Sequence, residues 1–258
     1  MQDLKINTIQ THLHWEDIDK NIAHFDTLIR ANSACDLIVL PEMFTTGFTM
    51  NPSQFSKQDL EKGFAFIEQL SNELNIAICG SLVKANAHNT QYTNTMVFQA
   101  PKKEPVYYNK RHLFSPGDET KHYEKGAERI IIEYKNWRIC PLICYDLRFP
   151  VFSRNRKDYD LLIYVANWPE VRNYAWETLL KARAIENQAY VIACNRVGLD
   201  GKCVNHIGNS GIVNPMGEFD AIYGSESVHT SLISFSTLEK FRKSFPVLDD
   251  ADEFTLLI

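Results

Sequence analysis

Residues 142–150 read LICYDLRFP and place a cysteine where an apolar, strand-forming run gives way to charged residues. The preceding WRICPLI is β-compatible, whereas Tyr145, Asp146 and Arg148 follow with a spacing typical of a helix. Cys144 is therefore predicted on a strand-to-helix turn at the carboxyl edge of a sheet, with its side chain exposed to solvent. Backbone N–H groups at a helix start have no intrahelical partner, so we expect them to lower the thiol pKa and to hold a developing oxyanion.

Two other segments end in a reactive side chain in the same way. Residues 36–42 (DLIVLPE) form a short apolar run that leads through a proline to Glu42. Residues 106–114 (VYYNKRHLF) deliver Lys110 at the end of a strand-like run. Because ligand sites in α/β proteins form at the carboxyl edge of the sheet, we expect the carboxylate, the ammonium and the Cys144 thiol to meet at one rim. A lone cysteine is commonly a small buried hydrophobe, and the other two segments are what favour a catalytic role.

With these segments, the sequence resembles the nitrilase superfamily of carbon–nitrogen hydrolases, whose members carry Glu, Lys and Cys in this order. The resemblance continues through VANWP at residues 165–169 and KARAIENQAYVIACNRVG at residues 181–198, and it covers most of residues 4–222. Six segments are similar to the omega-amidase branch of this superfamily, namely KRHLF, CYDLRFP, ANWP, RAIENQAY, CNRVG and FPVLDDADEF. The resemblance implies an α/β fold, a four-layer α-β-β-α sandwich of the nitrilase type, and assembly as a homodimer.

The resemblance also implies a mechanism that uses a triad of Glu42, Lys110 and Cys144. Cys144 attacks an amide carbonyl, Lys110 and the backbone N–H of Tyr145 hold the oxyanion, and a thioester forms. Glu42 first protonates the departing ammonia and then activates the water that hydrolyses the thioester. A carboxylate is about four pKa units more acidic than a thiol, which opposes proton transfer by about 5.7 kcal/mol. Burial of Glu42 and the charge of Lys110 are expected to close that gap.

The family also has a second glutamate after the lysine segment. Glu119 in SPGDET is its match here, and we expect it to orient Lys110. Asp118 and Glu124 lie close by in the sequence and stay open as alternatives.

An omega-amidase removes the terminal amide of a short 2-oxo dicarboxylate monoamide such as 2-oxoglutaramate. This substrate implies a cation for the distal carboxylate, and an arginine binds carboxylate bidentately. Arg148 and Arg172 are the candidates, although Arg148 could equally pair with Asp146 or a neighbouring acid to fix the turn. The candidate apolar walls, each of which could instead be ordinary core, are Trp168, Phe44 and Phe48.

The length, composition and charge of the chain limit the class of protein to which it can belong. The 258 residues contain no Pro-, Gly- or Ser-rich linker, which predicts one domain over residues 1–258. A formal net charge of −5 without a basic cluster argues against a nucleic-acid partner, so we expect a small-molecule partner, which the resemblance implies is an amide. MQDLKINTIQ lacks a signal-peptide core and no run approaches ~20 apolar residues, so we expect a cytoplasmic protein that does not span a membrane. The six cysteines are expected to be free thiols.

No metal or cofactor is expected from the sequence. His12 and His14 have a spacing that could ligate a metal ion, but no third ligand is near them in the chain. Cys140 and Cys144 are not matched by a second cysteine pair, and Ser210 in GNSG lacks the pattern of a serine hydrolase.

Two alternatives to omega-amidase stay open. The same triad serves nitrilases, aliphatic amidases and N-carbamoyl hydrolases. The chain could also be a catalytically silent binding or scaffold member of the fold, against which the presence of all three triad residues argues.

Hydrophobic periodicity predicts alternating strands and helices. Residues 130–134 and 137–143 are expected to pair around Lys135 and Asn136. The predicted strands lie at residues 4–10, 36–40, 76–83, 94–99, 106–108, 130–134, 137–143, 161–166, 190–195, 207–213 and 218–223, and the helices lie around residues 18–29, 60–74 and 174–187.

Overall fold

The computed structural model describes residues 2–256 and consists of two β-sheets and six α-helices within that range. The first sheet contains β1 (Leu4–Gln10), β2 (Leu37–Val39), β3 (Ala77–Ala85), β4 (Tyr92–Gln99), β5 (Val106–Asn109) and β13 (Ser227–Ile233). The second contains β6 (Ile132–Tyr134), β7 (Trp137–Ile143), β8 (Leu161–Ala166), β9 (Tyr190–Asn195), β10 (Val197–Leu199), β11 (Asn205–Val213) and β12 (Phe219–Tyr223). The helices are α1 (Ile18–Ala31), α2 (Lys57–Leu74), α3 (Glu119–His122), α4 (Pro150–Ser153), α5 (Asn173–Asn187) and α6 (Phe235–Ser244).

Strand order brings three chain segments to one edge. The first sheet runs β13-β1-β2-β3-β4-β5, with β1, β2 and β3 parallel. Two antiparallel pairings, β3 with β4 and β4 with β5, return β5 to the direction of β3. The second sheet runs β10-β11-β9-β8-β7-β6, with β7, β8 and β9 parallel. The carboxyl ends of β2 and β5 therefore lie at one edge of the first sheet, and those of β7 and β8 at one edge of the second.

Successive side chains along β2 of the first sheet point alternately into two different hydrophobic cores. Leu37 and Val39 of β2 pack in the cluster shared with the second sheet, whereas Ile38 packs in the cluster formed with α1 and α2. This is the period of two expected for a strand buried on both faces. The Cys194 thiol of β9 lies 3.4 Å from the Val39 carbonyl oxygen, so the sheets are in direct contact. Helices α1 and α2 pack on the first sheet and α5, through Trp176, packs on the second, which gives the expected α-β-β-α layering.

Most local predictions agree with the structure. Strands β1, β8 and β9 have the predicted bounds, and Lys135 and Asn136 form the turn between β6 and β7 with positive φ angles of 49° and 67°. Sequence periodicity missed β10, β13 and α6. β13 is an edge strand of alternating burial whose pairing with β1 joins Leu4 to Ile233, a contact that no local pattern reveals.

The predicted single domain over residues 1–258 stays a prediction, and its ends at Met1, Leu257 and Ile258 lie outside the described residues. None of the helices within residues 2–256 combines the length and the apolar character needed to cross a bilayer.

Candidate active site

The three residues of the predicted triad lie at strand ends, where the first and second sheets meet. Glu42 follows β2, Lys110 directly follows β5 and Cys144 directly follows β7. The Lys110 Nζ donates a hydrogen bond to Glu42 Oε1 at 2.8 Å, and both side chains are fully buried. The structure therefore brings the carboxylate and the ammonium into contact, as expected.

The Lys110 ammonium lies between two buried carboxylates. Besides Glu42, it donates to Glu119 Oε1 at 3.0 Å and to Glu119 Oε2 at 2.9 Å. Burial alone would lower the pKa of Lys110, but the charges of Glu119 and Glu42 outweigh it and raise that pKa. Burial raises the pKa of Glu119, and the Lys110 charge opposes this shift. The alternatives Asp118 and Glu124 are exposed, and of these three acidic residues Glu119 is the one that contacts Lys110.

Two asparagines that sequence reasoning missed hold the Glu42 carboxylate. The Asn94 side-chain amide donates to Glu42 Oε1 at 2.8 Å and to Glu119 Oε1 at 3.2 Å. The backbone N–H of Asn167 donates to Glu42 Oε2 at 2.8 Å, and its side-chain amide donates to the Glu42 carbonyl at 2.5 Å. Both asparagines are buried. Asn167 lies directly after β8 in the ANWP motif, which could have identified it, whereas Asn94 lies between two threonines of β4 and had no local signal.

Cys144 occupies a strained turn, and its environment corrects the sequence-based expectation. The residue has a φ of 44°, in the left-handed region, and begins the one-turn 3₁₀ helix Cys144–Arg148 instead of an α-helix. Only 9% of its surface is exposed. Burial and the charge of Glu42 raise the pKa of the Cys144 thiol well above its ordinary value, and Lys110 only partly offsets them. The expected exposed position and lowered pKa were wrong, because the thiol is buried and the Lys110 charge that would lower its pKa is outweighed by burial and by Glu42.

Asp146 fixes the turn that carries Cys144. Its Oδ2 accepts hydrogen bonds from the backbone N–H of Ile143 at 2.9 Å and from the Tyr108 hydroxyl at 2.7 Å. Its Oδ1 accepts from the backbone N–H of His112 at 2.9 Å. Asp146 is thus fully engaged without Arg148, and the alternative that these two residues pair was wrong.

Tyr145, whose backbone N–H is the predicted oxyanion donor, directly follows the residue that carries the thiol. Tyr145 is the second residue of the 3₁₀ helix, and an N–H at that position has no carbonyl partner within the helix. Its ring packs edge-on against Phe114 and Phe149, with centroids 5.1 and 5.2 Å away. The aromatic contacts hold the Tyr145 side chain against Phe114 and Phe149.

A cavity of about 150 Å³ opens above the thiol. Cys144, Tyr145, Arg148, Trp168 and Arg172 line it, together with Phe48, so most of the predicted binding residues are brought together. The Arg148 guanidinium carbon lies 4.9 Å from the centre of the Trp168 ring. That of Arg172 lies 5.1 Å from the centre of the Phe114 ring.

Both guanidinium groups are available to a ligand. Across residues 2–256, neither Arg148 nor Arg172 forms a side-chain hydrogen bond or ion pair with a carboxylate. Burial lowers the pKa of Arg172, and the positive charge of Arg148 adds to this shift. The Arg148 and Arg172 guanidinium groups carry the same charge at one cavity and repel each other, so a bound anion would stabilise both.

Phe44 does not line the cavity, and its predicted role as a wall was wrong. Its ring is fully buried and packs edge-on against Phe25 of α1, with centroids 5.1 Å apart. The side chain thus lies on the helix-covered face of the first sheet, away from the pocket. Sequence reasoning also missed several lining residues from distant loops, which no local pattern marks. They are Phe114, Gly117, Asp200, Lys202, Val204 and His206. Asn167 and Pro169 also line the cavity and belong to the VANWP segment of the family resemblance.

Comparison with known proteins places this geometry in a family. Residues 5–243 match the sequence profile described as Carbon-nitrogen hydrolase. The chain is 43% identical to "Omega-amidase YafV" of Escherichia coli K12, covering 99% of this chain and 100% of that protein. It is 31% identical to "2-oxoglutaramate amidase" of Bacillus subtilis, covering 95% and 96% of the two chains. A crystallised CN-hydrolase superfamily protein from Xanthomonas campestris, with an arsenic adduct in its active site, is 39% identical and superposes with a TM-score of 0.91 over 99% of this chain and 100% of that one.

Proposed function

We propose that this chain, which belongs to the Carbon-nitrogen hydrolase family, hydrolyses the terminal amide of short 2-oxo dicarboxylate monoamides to the acid and ammonia. 2-Oxoglutaramate is the representative substrate. The observation that carries the proposal is the cavity, which is lined by the Cys144 thiol and by two guanidinium groups that have no carboxylate partner within residues 2–256. The buried Glu42–Lys110 pair lies close enough to that thiol for both charges to act on its pKa. The similarity to proteins named omega-amidase and 2-oxoglutaramate amidase supports the same assignment.

The first half of the reaction forms a thioester. Because the resting thiol has a raised pKa, Cys144 is protonated at neutral pH, and Glu42 accepts its proton as sulfur attacks the amide carbon. Lys110 and the backbone N–H of Tyr145 donate to the developing oxyanion. The tetrahedral intermediate collapses as Glu42 returns the proton to the departing nitrogen, so ammonia leaves and a thioester on Cys144 remains.

The second half uses the same groups to release the acid. Glu42 takes a proton from water, and the resulting hydroxide adds to the thioester carbonyl. The oxyanion is held as before, and the thiolate leaves and takes the proton back from Glu42. Glu119 does not contact the reacting atoms in this scheme. Its role is to hold the Lys110 ammonium in place and to balance its charge.

Arg148 and Arg172 are proposed to bind the distal carboxylate of the substrate. A guanidinium group forms two parallel hydrogen bonds with a carboxylate, which gives both affinity and orientation. Phe48 and Trp168 are proposed as the apolar walls along the short carbon chain. An anionic substrate is favoured over a simple neutral amide or nitrile, because a neutral ligand would leave both cations in the wall without a partner.

An ammonia-release assay tests this function. 2-Oxoglutaramate and 2-oxosuccinamate should be hydrolysed with far higher kcat/KM than glutamine, asparagine, propionamide, an N-carbamoyl amino acid or a simple nitrile. Release of carbon dioxide with ammonia from the N-carbamoyl compound would identify an N-carbamoyl hydrolase instead. No turnover of any of these compounds by the folded protein would favour a silent binding or scaffold member. The Cys144→Ser variant serves as the control for adventitious hydrolysis.

The homodimer belongs to the same proposal. Val171 and Tyr174, next to the cavity at the start of α5, are each 84% exposed. Large apolar side chains with this exposure are costly to leave in water and are common at subunit contacts. Sedimentation velocity should give twice the chain mass, and Tyr174→Lys should shift the protein towards the monomer. A monomeric wild-type chain would remove the homodimer from the proposal.

The cytoplasmic location stays a prediction.

A further inference from the structure

A group of three histidines lies outside the cavity described above. His12 and His14 follow β1, and His24 lies on α1. Each offers one ring nitrogen, and these three nitrogens all lie within 4.8 Å of one another. The third histidine was not expected from the sequence, because it is ten residues beyond His14 and reaches the other two only through the fold of the β1–α1 connection.

The separation of the first two imidazoles matches that of two ligands on one metal ion. His12 Nε2 and His14 Nε2 are 3.3 Å apart. Zinc binds imidazole nitrogen at about 2.0–2.1 Å with tetrahedral angles, which places two such nitrogens about 3.3–3.4 Å apart. The ring centroids of His12 and His24 are 4.6 Å apart, so the His24 imidazole lies beside the position that an ion between His12 and His14 would occupy.

A carboxylate fixes the tautomer of His12. Glu226 Oε1 is hydrogen-bonded to His12 Nδ1, and it also accepts from the His12 backbone N–H at 2.9 Å and from the Thr11 hydroxyl at 2.8 Å. The Glu226 carboxylate has no proton to donate, so the hydrogen of this bond must lie on His12 Nδ1. This tautomer leaves a lone pair on His12 Nε2. A carboxylate behind a histidine is the arrangement that orients imidazole ligands in metal sites.

The other two histidines are also held in place. Buried Asn21 accepts from the His14 backbone N–H at 2.8 Å and donates to the His14 carbonyl at 2.7 Å. The Thr11 hydroxyl, which is bonded to Glu226, lies 2.7 Å from His24 Nε2. All three imidazoles are only partly buried, so an ion can reach them from solvent.

We propose that His12, His14 and His24 together bind one divalent transition-metal ion of the zinc type, with Glu226 orienting His12. Three neutral imidazoles select zinc, cobalt or nickel over magnesium and calcium, which prefer oxygen ligands. A water molecule would complete the tetrahedron. The ion would tie the connection after β1 to α1 and would take no part in amide hydrolysis.

Cobalt serves as the spectroscopic probe. The full chain, freed of any polyhistidine tag and stripped with a chelator, should bind one Co²⁺ ion with the visible spectrum of a tetrahedral site. That spectrum should lack sulfur-to-cobalt charge transfer, because no cysteine is a proposed ligand. Zn²⁺ should displace the cobalt. A strong sulfur band would place the ion on a thiol such as Cys144 or Cys203 and would overturn the proposal.

Single substitutions locate the ion. His14→Gln and His24→Gln should each weaken Co²⁺ binding at least about tenfold, and Glu226→Gln should weaken it about 10- to 100-fold. His88→Gln, which changes an exposed histidine far from the cluster in sequence, is the matched control and should bind like the wild type. Zn²⁺ should raise the Tm of the wild type and of the His88→Gln variant but not that of the His24→Gln variant.

Two outcomes contradict the site. Binding that is not saturable, or equal affinity in the His24→Gln and His88→Gln variants, would exclude the cluster as the ligand set. Circular dichroism and ammonia release by each metal-free variant separate a lost ligand from a lost fold. If His24→Gln does not fold, His12→Gln at the more exposed imidazole gives the same readout.

Discussion

Glu42 and Asn167 are 125 residues apart in the chain, yet Asn167 donates one hydrogen bond to the Glu42 carboxylate and another to its carbonyl, at 2.8 and 2.5 Å. Glu42 follows a strand of the first sheet and Asn167 follows a strand of the second. The proposed general base is therefore held across the junction of the two sheets. Its position depends on how the sheets pack as well as on its own strand.

Removal of the nucleophile should abolish turnover while the fold survives. Cys144→Ala is expected to lower kcat at least about 10⁴-fold, because no other thiol within residues 2–256 lines the cavity and the covalent step is lost. The free energy of unfolding should change by about 1 kcal/mol, since only one small buried side chain is shortened. Ammonia release and urea denaturation measure the two effects. Unchanged ammonia release would remove Cys144 from the mechanism.

Glu42→Gln tests the base separately from the nucleophile. Glutamine keeps the size of the side chain and can still meet Lys110 and Asn94, but it cannot accept the thiol proton. We expect kcat to fall about 10²- to 10⁴-fold with the protein still folded. The thioester should also form and break slowly in a burst experiment. A loss of tenfold or less would show that another group is the base.

Lys110→Met should destabilise the protein strongly. The substitution leaves the carboxylates of Glu42 and Glu119 buried without their cation, and breaking a buried pair costs about 3–5 kcal/mol. Adding Glu119→Gln should recover part of that loss, because one uncompensated charge is removed. Urea unfolding of the single and double variants measures the difference. Equal stability of Lys110→Met and wild type would show that the ion pairs of Lys110 with Glu42 and Glu119 contribute little to the free energy of unfolding.

The Cys144 thiol should titrate above pH 9.0, its ordinary value, because burial and Glu42 raise its pKa in the folded state. The folded state then holds the proton more tightly than the unfolded state. This contribution to stability is complete below the unfolded pKa and is lost as pH rises through the folded one. The difference in ultraviolet thiolate absorbance between wild type and Cys144→Ser measures the titration. A thiolate step below pH 7 would contradict the raised pKa.

Arginine substitutions test the carboxylate site. Arg172→Lys or Arg148→Lys should raise KM for 2-oxo acid monoamides about 10- to 100-fold, since a charged hydrogen bond is worth about 1.5–3 kcal/mol and an ammonium cannot reproduce a bidentate fork. Neutral amides should be affected much less. Steady-state kinetics on both substrate types give the contrast. Parallel losses on both would indicate a structural arginine and move the search to other donors around the cavity.

Local sequence was sufficient for most of the strands, though not for β10 and β13, and for the order of the reactive residues. Strands such as β8 and β9 are short, almost wholly apolar runs, and a side chain directly after such a run lies at the edge of a sheet. Glu42, Lys110 and Cys144 could therefore be assigned to one rim before any coordinates. The motifs around them also identified the family, because they recur in a fixed order.

Tertiary structure alone decided the environment of each group. The thiol pKa is raised because Cys144 is buried and Lys110 is already paired with Glu42 and Glu119, and neither burial nor pairing can be read from the segment CYDLRFP. Asn94, Asn167 and the third histidine reach their sites through contacts between segments distant in the chain. Phe44 is next to a pocket segment in sequence but lies on the opposite face of its sheet. The sequence determined which chemical groups are present and where the strands end, whereas long-range packing set their charges, partners and exposure.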